Sequence, residues 1–275
     1  MKRIKLSSIA THVVLLAWSA VVLFPLYTML INSIKPKREI FRDPYGFPST
    51  VTFEGYQSAW TDGRFDIYFR NSITVTVISL ALILLLGSLA AYGLASWRSR
   101  VSNLIYLGFV AGLMVPIRLG TINIFQIILA LGLNDSIWSL VPVYVAMGLP
   151  VATFVMVPFI RALPGDLIDA ARVDGASELR IYASVIMPMV RPALATVAIF
   201  NLIPIWNDLW FPLIFIRSQQ ARTVIYGVSL LFGQYQTDWT RILSTLSLSA
   251  VPLLILYLLM SKQFIKGLTA GAVKG

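Results

Sequence analysis

Long apolar runs separated by short polar clusters set the pattern of this chain. A bilayer core takes about 20 apolar helical residues. The runs Ile9–Ile31, Ser72–Ser96, Ile137–Ile160, Ala193–Ile216 and Leu243–Met260 suit that length, and Leu104–Leu119 is somewhat short. The pattern predicts an all-α integral membrane protein with about six transmembrane helices. Thr121–Leu133 is apolar but too short to cross alone. It reads either as a short helix re-entering beside the third span or as an extension of that span. The organisation expected is a first helix and long outer loop over 1–70, a transmembrane core over 71–262 with a polar loop at 161–191, and a tail over 263–275.

Composition agrees with lipid as the main solvent. Hydrophobic residues make up 57% of the 275 and charged residues only 12%, against about 25% charged in an ordinary soluble domain. The mean hydropathy is +0.79. A net charge of +10 raises nucleic acid as a partner, but in a membrane chain it reflects loop cations that set topology. With the N-terminus inside, inner segments carry twelve Lys and Arg against ten outside. Six of those ten lie in the long first outer loop, where the rule has little force. Both termini are therefore expected in the cytoplasm, with the first helix uncleaved. Zero cysteines exclude disulfides and thiolate metal sites. A single histidine, His12, excludes a multi-histidine metal cluster and disfavours triad chemistry.

Prolines recur within the apolar runs, where neighbours can satisfy the carbonyls they free. Gly87, Ala91 and Ala95 recur every four residues, and Gly108 and Gly112 form a second small-residue pair. Such stripes let helix backbones approach closely.

The stretch Pro164–Pro188 concentrates the charge: Asp166, Asp169, Arg172, Asp174, Glu178 and Arg180. Pro164 and the first two acids suit the start of a helix. Gly175 suits the left-handed residue that stops it. Ser177 caps a second helix with Ile181, Tyr182, Val185, Ile186 and Met189 on one side, ended by Pro188. A helix–turn–helix in which the small Ala170 and Ala171 let another surface approach the backbone closely suits docking. The alternative is a helix lying on lipid headgroups.

The triplet Asp169-Ala170-Ala171, then Gly175, then Ile186-Met187-Pro188, resembles the acidic-Ala-Ala loop of ABC-transporter permeases. Asp169 stands where that family usually has Glu, and Met187 where it usually has Leu. Ser33-Ile34-Lys35-Pro36, Thr52-Phe53-Glu54-Gly55-Tyr56, Phe69-Arg70-Asn71-Ser72, Ala193-Leu194-Ala195-Thr196 and Trp206-Asn207-Asp208 are similar to segments of carbohydrate-importer permeases. Gly267 to Gly275 resembles the C-terminal signature of the maltose-type second permease subunit.

That resemblance implies the type I ABC importer fold and a multi-pass protein of the cell (inner or plasma) membrane. It implies that two different, homologous permease subunits form the pore and two ATP-binding cassette subunits drive it. An extracytoplasmic binding protein delivers a sugar. Asp169, Ala170, Ala171, Asp174, Gly175, Ile186 and Pro188 would couple this chain to an ATPase. Gly267, Ala270, Gly271 and Lys274 would reach between the ATPase subunits. No G-x-x-x-x-G-K-[ST] occurs, so no cofactor is expected on this chain, no catalytic residue is assigned, and ATP with Mg is expected on the partners.

Polar groups within spans suggest a solute path or a packing contact. Asn201, Trp206, Asn207, Asp208 and Arg118 are the candidates. Indoles beside amides suit sugars, whereas Asn207 and Asp208 could equally lock a helix break near Pro204 or Pro212. Arg118 could meet an anionic sugar, snorkel to headgroups or form an ion pair. A non-sugar ABC importer, an ion-coupled secondary transporter and a membrane enzyme are the alternatives. The lack of a repeat and of paired intramembrane charges argues against the second, and the lack of Cys with a lone His against the third.

Overall fold

A computed structural model describes residues 6–232 and 238–272, with side chains described for 9–232, 238–255 and Leu258. All regular structure among these residues is helical. In chain order the helices are α1 Leu6–Ser33, α2 Lys37–Arg42, α3 Glu54–Thr61, α4 Phe65–Ser96, α5 Arg100–Gly112, α6 Thr121–Ala130 and α7 Leu140–Arg161. There follow α8 Gly165–Val173, α9 Glu178–Met189, α10 Arg191–Trp206, α11 Trp210–Phe215, α12 Val224–Ser229 and α13 Trp239–Ala272. Contacts group the chain into two units, Met1–Asp66 with Gly227–Pro252 and Ile67–Tyr226 with Leu253–Gly275.

Among the described residues three helices are long and apolar enough to cross a membrane alone, within α1, α4 and α7. Two bent pairs, α5 with Ile117–Ala130 and α9 with α10, bring the number to five if each pair is one span. The sixth apolar run falls in α13, where Trp239–Ile255 forms a shorter apolar helix over the described side chains.

Two of the expected spans differ from the apolar runs that suggested them. The third stops at Gly112 rather than Leu119, and the chain turns by 83° before continuing. Pro116 has no N–H to extend α5 and biases Val115 away from helical geometry. Thr121–Ala130 is thus a separate helix, not an extension. The fifth expected span, Ala193–Ile216, is α10 ending at Trp206 and a short α11 beginning at Trp210. The tail from Gly267 to Ala272 continues α13 as helix. The side chains of Gly267, Ala270 and Gly271 lie outside those described, as does Lys274 altogether.

In the first unit the C-terminal end of α1, α3 and the start of α13 are joined by polar contacts. The Ser244 hydroxyl donates to the Ser33 carbonyl at 3.0 Å, and Ser33 and Tyr56 share a hydroxyl–hydroxyl bond of 2.7 Å. Arg241 donates to Ser58 at 2.8 Å and lies 3.7 Å from Asp62.

The core of the second unit forms around α7, with Leu140, Met156 and Ala152 fully buried. The small-residue stripe on α4 is used as the sequence suggests: Gly87, Ala91 and Ala95 are buried. A Cβ on Gly87 would collide with the Ala152 methyl, and one on Gly148 with Ile83 and the Asn201 amide oxygen. Gly108, by contrast, faces open space. Gly87→Ala is expected to destabilise by about 1–3 kcal/mol through overpacking, read as a lower melting temperature in detergent. The swap Gly87→Ala with Ala152→Gly is expected to recover most of that loss; no recovery would mean that this contact does not set the helix spacing.

Candidate functional site

The 164–189 helix–turn–helix is built by local rules. Pro164 precedes α8 with φ −59°, and Asp166 lies in the first turn. The turn after α8 is a Schellman closure. Ala176 N–H donates to the Ala171 carbonyl and Gly175 N–H to the Arg172 carbonyl, each at 3.0 Å. Gly175 has φ +77°, a conformation that costs an L-residue about 1–2 kcal/mol. Ser177 then caps α9, its hydroxyl accepting from Arg180 N–H at 3.4 Å.

Helix α9 runs through Pro188 to Met189 rather than ending there. The Pro188 ring would meet the Ser184 carbonyl in a regular helix. A π-turn over Tyr182–Ile186 widens the helix instead, with Met187 N–H bonded to the Tyr182 carbonyl. The break comes at Val190, where the chain bends by 78° into α10. Ile181, Tyr182 and Ile186 are buried, as their spacing suggests, whereas Met189 is 40% exposed.

One face of this loop is apolar and open. Leu167, Val173 and Leu179 are exposed, along with Asp169, Ala170 and Asp174. The opposite face is tied to α4. The Tyr92 hydroxyl donates to Glu178 Oε2 at 2.5 Å. Ser88 and Tyr182 share a hydroxyl bond of 2.7 Å, and the Tyr92 and Tyr182 rings lie 5.7 Å apart. Arg172 joins the two arms, donating from Nε to Glu178 Oε1 at 3.0 Å and from Nη1 to Asp169 at 3.4 Å. The acid of the Asp-Ala-Ala triplet thus orients the arginine that binds Glu178. Arg161, at the end of α7, donates to the Leu94 carbonyl and to Asn103. Sequence reasoning missed Tyr92, Ser88 and Arg161. Ser88 and Tyr92 sit four residues apart, each next to a member of the Gly87–Ala91 stripe, the one signal that could have found them.

The candidate pathway residues divide. Arg118, Asn201, Asn207 and Asp208 line one cavity of about 340 Å³, together with Tyr144 and Met147. A second of about 400 Å³ shares Arg118 and Met147 and runs along Gly112–Ile117. Trp206 is not on the cavity wall. It is buried, its ring 5.8 Å from Phe69 in an edge-on contact. Asp208 accepts from the Tyr144 hydroxyl at 2.9 Å, Trp210 N–H at 3.2 Å and Phe211 N–H at 3.1 Å. It therefore caps α11 and secures the break. Asn207 donates to the Ile203 carbonyl at 3.0 Å and Asn201 to the Val197 carbonyl at 2.8 Å.

Arg118 lies over the Trp210 ring at 5.5 Å, a cation–π contact rather than an ion pair. The indole is fixed by its Nε1–H to Thr121 at 3.0 Å, and Thr121 in turn donates to the Arg118 carbonyl. The segment after α11 is equally pinned. Asp135, at φ +56°, accepts from Arg217 and Ser218 N–H at 2.7 Å each. Those backbone donors hold its carboxyl below the usual carboxylate range. Asn71 donates to the carbonyls of Gln220 and Arg222, and Ser72 accepts from Val224 N–H.

Two outcomes follow from these contacts. The Tyr92 hydroxyl, then Arg172, hold the Glu178 carboxyl below its ordinary range. Because the folded-state value is depressed, the stabilisation is full above the unfolded value and is lost as pH falls through the folded one. Hydrogen exchange of the 165–182 amides is expected to be insensitive to pH-dependent loosening between pH 5 and 8 (after correction for intrinsic exchange; about 4.3 is the free Glu value) and accelerated by Glu178→Gln at pH 7. Unchanged exchange in that variant would show that the tie to α4 does not order the loop. Asp208→Ala leaves the buried Tyr144 hydroxyl unpaired and is expected to cost about 1–3 kcal/mol, measured as a drop in melting temperature.

Comparison with known proteins places this geometry. Residues 83–269 match the family described as binding-protein-dependent transport system inner membrane component. The chain is 33% identical over 266 residues to the diacetylchitobiose uptake system permease protein NgcG of Streptomyces coelicolor, covering 96% of this chain and 88% of that one. It is 31% identical to the arabinooligosaccharides transport system permease protein AraQ of Bacillus subtilis, covering 94% and 92%. The fold is similar to a chain of a bacterial ABC transporter involved in the import of alginate, with a TM-score of 0.82, 21% identity, and coverage of 96% and 100%. The resemblance carried by the 164–188 loop and the flanking segments is borne out: the chain belongs to the family of inner membrane components of binding-protein-dependent transport systems.

Proposed function

We propose that this chain is one permease subunit of an ATP-driven importer of a sugar or sugar derivative. It forms half of the pore with a second, homologous permease subunit, and an extracytoplasmic sugar-binding protein delivers the solute. Two ATP-binding cassette subunits, which bind ATP and Mg, supply the power stroke. Both termini lie in the cytoplasm with the 164–189 loop.

The observation that carries this reading is the two-faced loop. Its open face offers Leu167, Val173 and Leu179 with the exposed Ala170 to a partner, while Ala171 packs against the core. Its other face is fixed to α4 through Glu178 and Tyr182. A push on the open face is thereby delivered to a membrane-spanning helix instead of being absorbed by a flexible connection. Relatives named for diacetylchitobiose and arabinooligosaccharide uptake support a carbohydrate as the solute. Within the cavity, Arg118, Asn201, Asn207 and Asp208 are the polar groups placed to meet a passing solute. Gly267, Ala270, Gly271 and Lys274, in the C-terminal tail, contact the ATPase pair.

In proteoliposomes holding the assembled transporter, sugar uptake is expected to require internal or external ATP on the ATPase side and the binding protein, and to persist when ion gradients are collapsed. Uptake driven by an ion gradient without ATP would overturn the assignment. The purified chain alone is expected to hydrolyse no ATP. Asp169→Lys and Gly175→Pro are each expected to abolish uptake while the subunits still co-purify, and undiminished uptake by both would remove the loop from the coupling path.

A further inference from the structure

The loop that follows α1 does not simply leave the membrane. From Ser33 the chain makes the short α2 and then folds back along α1. The Tyr45 ring lies 5.6 Å from Phe24, and the Phe47 ring 6.3 Å from Tyr27 in an edge-on contact. Three hydrogen bonds hold this return. Tyr27 donates its hydroxyl to the Tyr45 carbonyl at 2.9 Å, and Asn32 donates to the Pro44 carbonyl at 2.8 Å. Lys35, wholly buried, donates from Nζ to the Asp43 carbonyl at 2.7 Å.

Helix geometry fixes the depth that this return reaches. At about 1.5 Å per residue the 28 residues of α1 span about 42 Å. That length equals the hydrocarbon core of about 30 Å plus a headgroup layer on each side. Phe24 and Tyr27 lie about 14 and 9 Å short of the helix end at Ser33. By those lengths Tyr27 lies about 3 Å and Phe24 about 8 Å on the acyl side of the headgroup layer, and Tyr45 and Phe47 are held beside them. Both rings are open to their surroundings, at 63% and 78% exposure, and the helix they lean on has no buried position in its apolar window.

Charge completes the pattern. Lys37, Arg38 and Arg42 on α2 are exposed and form no ion pair among the described residues. The one acid on that helix, Glu39, is taken up by the Ser49 N–H and hydroxyl. Aromatic rings at the boundary with unpaired cations beyond them is the arrangement that suits a bilayer interface. Basic groups there gain from anionic lipid phosphates.

We propose that residues 37–47 form an interfacial anchor, with Tyr45 and Phe47 seated just on the acyl side of the headgroup layer and Lys37, Arg38 and Arg42 on anionic lipid phosphates. The anchor fixes the depth of α1 in the bilayer. It also leaves this part of the loop unavailable to the binding protein.

The test uses the lack of native cysteine in this chain. Phe47→Cys and, separately, Tyr45→Cys are spin-labelled in the assembled transporter, reconstituted in nanodiscs of phosphatidylcholine with or without phosphatidylglycerol. Gln57→Cys serves as the water-facing reference. Expected is a loss of access to an aqueous nickel chelate at 45 and 47 with retained access to oxygen, and access to both at 57. Phosphatidylglycerol is expected to deepen the label at 47, and K37Q/R38Q/R42Q to abolish that dependence. Full nickel access, with immobilisation on adding the binding protein, would make the surface a protein dock and overturn the proposal. Shielding from both reagents would place a second subunit there and overturn it equally. Concordance of the two label positions guards against a local effect of either substitution.

Discussion

A helix that bends inside a membrane frees backbone groups that lipid cannot satisfy. That single requirement governs this molecule, because its second unit contains several such bends. Several polar groups beside these breaks are met by atoms close at hand. Asp208 covers the amides that open at the start of α11. The π-turn before Pro188 gives Met187 N–H a new carbonyl. Thr153 donates to the carbonyls of Leu149 and Pro150, within the stretch of α7 disturbed by Pro150.

The same logic explains why the polar loop is rigid. Its charges are few, yet Arg172, Asp169 and Glu178 form one connected set that ends on the Tyr92 hydroxyl. Exposed ion pairs contribute little on their own. Here the contribution is geometric: the set fixes the angle between α8 and α9 and attaches both to α4. A partner pressing on Leu167, Val173 and Leu179 acts on a lever whose far arm is already part of the bundle.

Much of this was legible in the sequence where local chemistry decides the backbone. Gly175 had to be the left-handed stop, and Ser177 the cap, because few other residues serve there. The helices were legible as apolar runs, but their ends were not. Leu104–Leu119 and Ala193–Ile216 are each uniformly apolar enough to cross, and hydropathy does not register that Pro116 or Asp208 turns the chain. Long-range pairs were invisible for a different reason. Tyr92 and Glu178 are far apart in the chain, and nothing local to either names the other. For Trp206, an indole beside an amide suggests a sugar, and the sequence gives no sign that it is buried with its ring against Phe69.

The stack of Arg118 on Trp210 carries a kinetic consequence. Arg118 and Met147 line both cavities, so two long side chains stand where the cavities meet. Side-chain rotation in an open cleft takes picoseconds to nanoseconds, whereas displacement of a helix takes microseconds or longer. On the proposed path, a solute crossing from one cavity to the other meets side chains that turn over far faster than the frame around them. The slow steps of the cycle are therefore left to the helices.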